Sequence, residues 1–88
     1  MIPSIGRIVL YRLSAEDVVA IKGNRTVRPT GNAVNEGEIY PAMIVRTWGN
    51  TEGSCCQLQV FLDGADTYWA TSRREGQGPA TWFVPPRV

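Results

Sequence analysis

The sequence predicts a mainly-β fold, a small barrel of five strands with one short helix after the first strand. Two observations predict it. Five short segments rich in β-branched and aromatic residues are separated by turns that contain Gly, Asp or Pro. Helix-start signals also follow directly after the first of these segments. With 88 residues, the chain is expected to form a single domain, residues 1–88.

The first strand is expected from Ile5 to Leu13, where apolar residues lie between two arginines. Ser14 then occupies a helix N-cap position, and Asp17 stands at the third helical position, where a carboxylate favours the helix start. Gly23 is expected to end this helix after about two turns.

Residues 22–38 are predicted to form a long surface loop, because they are polar, contain Gly and Pro, and show neither a helical nor a strand period. Loops of this length in small domains often carry function. This one carries Arg25 and Arg28, which makes it a candidate for anion binding; a plain connector is the alternative.

Four more strands are expected along the rest of the chain. The residues at 39–48 are apolar on both faces, which predicts a strand covered on two sides. The next strand alternates cleanly and points Leu58, Val60 and Leu62 inward. A Gly-rich loop is expected from Arg73 to Pro79. The later strands are predicted at 57–62, 67–72 and 81–84, and the whole pattern is typical of an SH3-like or partly open β-barrel.

Tryptophans are expected in two roles. Trp48 and Trp82 are predicted to belong to the core, where large aromatic side chains contribute most. Trp69 follows Tyr68 directly on a strand, so the two side chains must face opposite sides of the sheet. The sequence does not decide which of the two faces the core.

Composition and charge exclude several classes of partner. Apolar residues make up 43% and charged residues 19%, which is typical of a folded domain. A net charge of +1 gives no bulk attraction to DNA, RNA or an anionic membrane. Neither a signal peptide nor an apolar run of membrane-spanning length is visible, so a cytoplasmic location is expected.

Catalytic, cofactor and metal signatures are missing from the sequence, so we expect a protein that is not an enzyme and has no cofactor. The chain has no histidine, which removes the commonest general base and metal ligand. Neither a phosphate-binding loop nor a dinucleotide-binding glycine pattern is present. Asp63 and Asp66 read as turn residues. Cys55 and Cys56 are adjacent, so a disulfide between them would be strained. Free thiols are expected, and a disulfide between two chains is the alternative.

Binding is better supported than catalysis. Eight of the nine basic residues are arginine, whose planar fork recognises phosphate and carboxylate groups. An aromatic strand followed by two arginines suits a ligand that carries both a ring and an anionic group. The predicted ligand-binding residues are Arg25, Arg28, Tyr68, Trp69, Arg73 and Arg74.

Several stretches also carry a resemblance. They are Ile5-Gly6-Arg7-Ile8-Val9 with Tyr11-Arg12-Leu13-Ser14, Tyr40-Pro41-Ala42-Met43-Ile44-Val45-Arg46, Leu58-Gln59-Val60-Phe61-Leu62-Asp63-Gly64, Trp69-Ala70-Thr71-Ser72 and the closing block from Thr81-Trp82 through Pro85-Pro86-Arg87-Val88. Together they resemble a family of small uncharacterised proteins of tailed bacteriophages and prophages, whose closing pattern has Gly where this chain has Ala80. The resemblance implies a phage origin and a β-rich fold, and it implies no activity.

Three hypotheses follow. In the first, the protein is a phage accessory protein in the host cytoplasm, an oligomer that sequesters a small anionic ligand such as a nucleotide signal of host immunity. In the second, it is a virion or assembly component that binds other phage proteins. In the third, an enzyme uses Asp63 or Asp66. Association into a homo-oligomer is expected because so small a chain buries limited surface alone.

Overall fold

The computed structural model describes residues 1–27 and 31–86, and it confirms the predicted fold class. Five strands form a closed barrel, and one helix follows the first strand. The elements are β1 (Ile8–Arg12), α1 (Ala15–Val27), β2 (Ile39–Thr47), β3 (Cys56–Phe61), β4 (Thr67–Glu75) and β5 (Thr81–Phe83).

The barrel is an antiparallel meander that closes through its last strand. β1 pairs with β2, β2 with β3 and β3 with β4, each antiparallel. The short β5 then pairs antiparallel with β1 and parallel with β4, where Arg74 lies opposite Thr81. Each strand therefore has two neighbours, and closure of this kind removes free sheet edges.

The core lies inside the barrel and under the helix. Trp82 is its largest side chain and is fully buried, as the sequence predicted. Leu58, Val60 and Leu62 point inward, also as predicted. The other buried apolar residues are Val9, Tyr11, Leu13, Val18, Ile21, Val34, Ala42, Ile44, Cys56 and Ala70.

Helix α1 begins as predicted and ends later than predicted. The N–H of Asp17 donates to Ser14 Oγ (3.1 Å), and the N–H of Ser14 donates to Asp17 Oδ2 (2.9 Å), which makes a reciprocal cap. The predicted stop at Gly23 is wrong, because the helix has 13 residues and continues to Val27. A glycine inside a helix costs only about 1 kcal/mol, which contacts at the helix end can outweigh.

The predicted long loop is therefore shorter and partly anchored. Its first residues belong to α1, and Gly31 forms an isolated bridge with Gly64 in the turn between β3 and β4. Asn32 reinforces this contact, since its backbone N–H and its side-chain amide both donate to Asp63. Gly31 and Asn32 are thus tied to the turn between β3 and β4.

Two β-bulges change which side chains face inward. One interrupts the β2–β3 register between Ile44 and Arg46, and the other interrupts the β3–β4 register near Ser72, which has a φ of 56°. A bulge adds one residue to one strand and so reverses the alternation beyond it. The predicted core position of Trp48 is wrong for this reason, because the first bulge turns Trp48 out of the core. The second bulge turns Arg73 toward the core, where it reaches Asp17.

The remaining differences between prediction and structure concern how many faces of β2 are covered and where β4 ends. β2 buries one face only, with Ala42 and Ile44 inside and Ile39 and Val45 exposed, so two-sided covering is wrong. β4 continues to Glu75, so the loop that was expected from Arg73 begins later. No helix in the described ranges is long and apolar enough to cross a membrane.

Candidate functional site

The structure places the predicted ligand-binding residues at three separate locations. Arg25 lies in the last turn of α1, Tyr68 and Arg73 face the inside of the barrel near the helix start, and Trp69 and Arg74 lie on the outside of β4. Arg28 falls outside the described residues. The five described residues therefore do not form one site.

Arg25 is engaged in a structural ion pair. Its Nε and Nη2 donate to the two carboxylate oxygens of Asp66 at 2.8 and 2.9 Å, and its Nη1 donates to the carbonyl of Asn32. This bidentate arrangement raises the pKa of Arg25 and ties α1 to the β3–β4 turn. The positive charge of Arg25 is therefore already neutralised by Asp66.

Tyr68 and Arg73 are engaged by a buried carboxylate, Asp17. The Tyr68 hydroxyl donates to Asp17 Oδ1 at 2.8 Å, and Arg73 Nη2 donates to the same oxygen at 3.0 Å. The Tyr11 hydroxyl donates to the other oxygen at 2.6 Å. Asp17 is thus the centre of a polar network that fastens α1 onto the barrel.

The electrostatics of this network favour a charged Asp17. Burial alone would raise the pKa of Asp17, but the hydrogen bonds from Ser14, Tyr11 and Tyr68 outweigh it, and the pKa is lowered. Burial, together with the carboxylate, raises the pKa of Tyr11. Arg73 Nε has no hydrogen-bond partner among the described residues, so the network is satisfied everywhere except at this atom.

Trp69 and Arg74 remain accessible on the outer side of β4. Trp69 is 59% exposed, whereas its neighbour Tyr68 packs against the core. Arg74 pairs in register with Thr81, and its Nε donates to Cys55 Sγ at 3.3 Å. These two predicted residues keep their binding groups toward solvent.

A further aromatic and arginine pair lies on the outside of the barrel, at the end of β2. The guanidinium carbon of Arg46 lies 4.2 Å from the ring centroid of Trp48, a cation–π geometry. Trp48 is 52% exposed, and its Nε1 donates to Gln57 Oε1. The Trp48 backbone N–H also donates to the carbonyl of Cys55.

These contacts define an arginine–tryptophan cluster, composed of Arg46, Trp48, Cys55, Gln57 and Arg74. Gln57 is buried beneath it and accepts from Trp48 and from the backbone of Ser72, which fixes the indole. In the described part of the chain, neither arginine of the cluster pairs with a carboxylate. Arg46 lies over the indole of Trp48, and guanidinium groups that pair with no described carboxylate suit phosphate or carboxylate oxygens.

Sequence reasoning missed Arg46 and Trp48 as candidate binding residues because it assigned Trp48 to the core. Their spacing of two residues on a strand was a signal, since residues at that spacing share a face. Strict alternation from Ala42 and Ile44 pointed both of them inward. The bulge after Ile44, which the sequence does not announce, reverses this orientation.

A cavity of about 350 Å³ lies between α1 and the segment that follows it. Its lining consists of Lys22, Arg25, Thr26, Gly31, Ala33 and Val34. Lys22 gives it positive charge, but Arg25 is already paired with Asp66. In sequence, residues 28–30 fall between the lining residues and outside the described ranges, so the cavity ranks below the arginine–tryptophan cluster as a candidate site.

Carboxylates and thiols are dispersed over the described structure. Within residues 1–27 and 31–86, no group of three or more carboxylate or thiol side chains is placed to hold a metal ion. Both cysteines are free thiols; Cys56 is buried, and burial raises its pKa to about 11, so it is a poor nucleophile. Comparisons with protein-family models, with curated proteins and with solved structures gave no match.

Proposed function

We propose that this protein is a non-enzymatic binding protein that captures a small anionic ligand with an aromatic ring, such as a nucleotide signal of host immunity. In this proposal it acts as a phage accessory protein in the host cytoplasm and sequesters the ligand without converting it. Sequestration requires affinity and no catalytic group, which agrees with a chain that lacks histidine.

One observation supports the proposal most strongly, namely the arginine–tryptophan cluster on the outer side of the barrel. Arg46 stacks on Trp48. Arg74 Nε donates to the thiol of Cys55, whose backbone carbonyl accepts from the Trp48 N–H. An exposed indole offers a surface for a base, and two guanidinium groups that pair with no described carboxylate offer donors for phosphate. Arg25 and Arg73, by contrast, are neutralised by Asp66 and Asp17.

Isothermal titration against cyclic dinucleotides, cyclic trinucleotides and ADP-ribose derivatives tests the proposal. We expect heat of binding and a thermal shift with at least one of them, and we expect chromatography to recover that ligand unchanged. If no compound in the panel produces heat or a thermal shift, the proposal is wrong. Turnover of the ligand would instead support the enzyme hypothesis, with Asp63 and Asp66 as the first residues to change.

Single variants then locate the site. Arg46→Ala and Arg74→Ala are each expected to weaken binding by about 10- to 100-fold, the loss of one charge-assisted contact of roughly 1.5–3 kcal/mol. Lys22→Ala removes the same charge at the cavity beside α1 and is expected to leave binding unchanged. Loss of binding in Lys22→Ala, with Arg46→Ala unaffected, would move the site to the cavity.

A virion or assembly role is the second candidate function, and a specific observation favours it. The outside of the barrel carries exposed apolar side chains, including Trp69, Phe61 and Ile8. Exposed apolar surface of this kind is typical of protein-binding sites. Mass spectrometry of purified particles from a phage that encodes the chain separates the two candidates, because a ligand trap should be missing from the particles.

A further inference from the structure

The buried amide of Gln57 is held in one orientation by two hydrogen bonds. Its Oε1 accepts from Trp48 Nε1 at 3.2 Å and from the backbone N–H of Ser72 at 2.5 Å. An indole N–H and a backbone N–H can only donate, so the oxygen of the amide, and not its nitrogen, must face them. These two contacts therefore determine which way the amide is turned.

The bond from Ser72 exists because of the β-bulge in β4. The β3–β4 register shifts between Cys56 and Leu58, and Ser72 has a φ of 56°. A bulge leaves one residue without its partner in the ladder, and Gln57 Oε1 accepts the N–H of Ser72 in its place. A flip of the amide would turn its NH₂ group toward two donors and break both bonds, so the orientation is locked.

The amide nitrogen of Gln57 is left as a directed donor. Nε2 makes no hydrogen bond to any residue of the described ranges. Within those ranges, Arg73 Nε is the single buried side-chain nitrogen or oxygen without a partner, so Gln57 Nε2 reaches the surface. The oxygen and nitrogen of an amide are roughly 2.3 Å apart, which keeps Nε2 within about 6 Å of the Trp48 indole nitrogen.

This donor lies at the edge of the stacking surface that Trp48 offers. The guanidinium carbon of Arg46 is 4.2 Å from the ring centroid and covers one face of the indole, so the opposite face is the one left for a ligand ring. Gln57 holds the Nε1 edge of the same indole. The edge of a ring stacked on Trp48 therefore comes within reach of Gln57 Nε2.

We propose that Gln57 determines the specificity of the arginine–tryptophan cluster and selects a 6-oxopurine nucleotide, one whose base is guanine or hypoxanthine. This assignment deepens the proposed function and rests on it. Guanine presents two neighbouring acceptors, N7 and O6, whereas adenine presents the acceptor N7 beside an amino donor at position 6. The locked amide offers donors only, so it pairs with O6 and meets the amino group of adenine as a second donor. Arg46 and Arg74 then take the phosphate.

Two matched pairs of ligands test this preference, IMP with AMP and cyclic di-IMP with cyclic di-AMP. The members of a pair differ in the group at position 6 and in the N1 proton that accompanies a carbonyl there. Isothermal titration is expected to show that the hypoxanthine member binds about tenfold more tightly, or better, in whichever pair binds. Equal affinities, a preference for adenine, or no binding of all four ligands would overturn the assignment. Equal affinities would leave the proposed function standing, so the two proposals can fail separately.

Gln57→Glu keeps an acceptor for Trp48 and Ser72 and replaces the outward donor with a second acceptor. The ratio of the two affinities in a pair is therefore expected to fall to about one or below. The added charge weakens both members of a pair alike and cancels in this ratio. Gln59→Glu places the same charge two residues along β3 and is the matched control, which should keep the ratio of the wild type. An unchanged ratio in Gln57→Glu would overturn the assignment.

The locked orientation is tested in the protein without ligand. NMR of isotope-labelled protein, with the indole signal assigned through Trp48→Phe, measures how fast the Trp48 indole N–H exchanges with solvent. We expect slow exchange in the wild type and in Gln57→Glu, and faster exchange in Gln57→Met, which offers no oxygen acceptor. Circular dichroism establishes that each variant is folded. Exchange in the wild type as fast as in Gln57→Met would show that the amide is not locked and would overturn the assignment.

Discussion

At the scale of single residues, Asp17 is the centre of the buried polar network. Its carboxylate accepts from two tyrosine hydroxyls, one backbone N–H and one guanidinium, while its own side chain is 1% exposed. A buried carboxylate with this many donors stabilises the fold only while it is charged. Removal of the charge leaves the partly buried Arg73 without its counter-ion.

Asp17→Asn is therefore expected to lower the free energy of unfolding at pH 7 by about 3–5 kcal/mol, the range for breaking one partner of a buried pair. Because the pKa of Asp17 is lowered in the folded state, its stabilisation is complete above the unfolded pKa of about 3.9 and is lost as the pH falls through the folded value. Urea denaturation at pH 7 and pH 3 measures the free energy of unfolding of both proteins. The difference between Asp17→Asn and the wild type should be smaller at pH 3 than at pH 7.

The matched control for this prediction is Glu16→Gln, which removes an exposed carboxylate one residue away in the same helical turn. It should cost no more than about 1 kcal/mol, the contribution of an acidic residue to the helix dipole. An equal loss of stability in the two variants would contradict the role assigned to Asp17.

The two adjacent cysteines differ in burial, so we expect them to differ in reactivity. Cys56 is fully buried, and burial raises its pKa to about 11, whereas Cys55 is partly accessible beside Arg74. A thiol-reactive chromophore at pH 8 should label one thiol per chain in the native state and the second only after denaturation. Cys55→Ser should remove the rapid reaction, and rapid labelling of both thiols in the wild type would show that this end of the barrel opens easily.

At the scale of elements, a glycine in open space and a glycine in close contact with its neighbours test α1 and the segment that follows it. Gly23 lies inside α1 with open space where a Cβ would point, so Gly23→Ala is expected to stabilise the protein by about 0.5–1 kcal/mol. A methyl group at Gly31 would lie 2.7 Å from Gly64 Cα and 2.8 Å from Arg25 Nη2. Gly31→Ala should therefore cost about 1–3 kcal/mol. Thermal unfolding of both variants checks the opposite signs.

The elements also show what local sequence signals determine. The start of α1 was predictable, because Ser14 and Asp17 act through backbone groups only three residues apart. The end of α1 was not, because it depends on the ion pair between Arg25 and Asp66, which are distant in sequence. β3 was predictable from its strict alternation, whereas the bulges that redirect Arg46 and Arg73 arise from strand pairing.

At the scale of the whole molecule, closure of the barrel separated the predicted site into parts. Trp69 and Arg74 are both exposed, although the sequence left open whether Trp69 or Tyr68 faces the core. The sequence did not reveal that Arg25 and Arg73 would find carboxylates, because Asp66 and Asp17 approach them only after the strands pair and the helix docks. Trp48 joined the outer surface for the same non-local reason.

Closure itself depends on β5, which has three residues and connects β1 to β4. Its Trp82 fills the centre of the core, and the indole N–H donates to the carbonyl of Arg73 on β4 at 3.2 Å. Trp82→Ala should cost about 3–5 kcal/mol, a large share of the roughly 4–13 kcal/mol available to a domain of this size. Trp48→Ala removes an equal side chain from the surface and should cost less than about 1 kcal/mol. Urea denaturation followed by circular dichroism compares them, and similar losses in both variants would contradict the assignment of Trp82 to barrel closure.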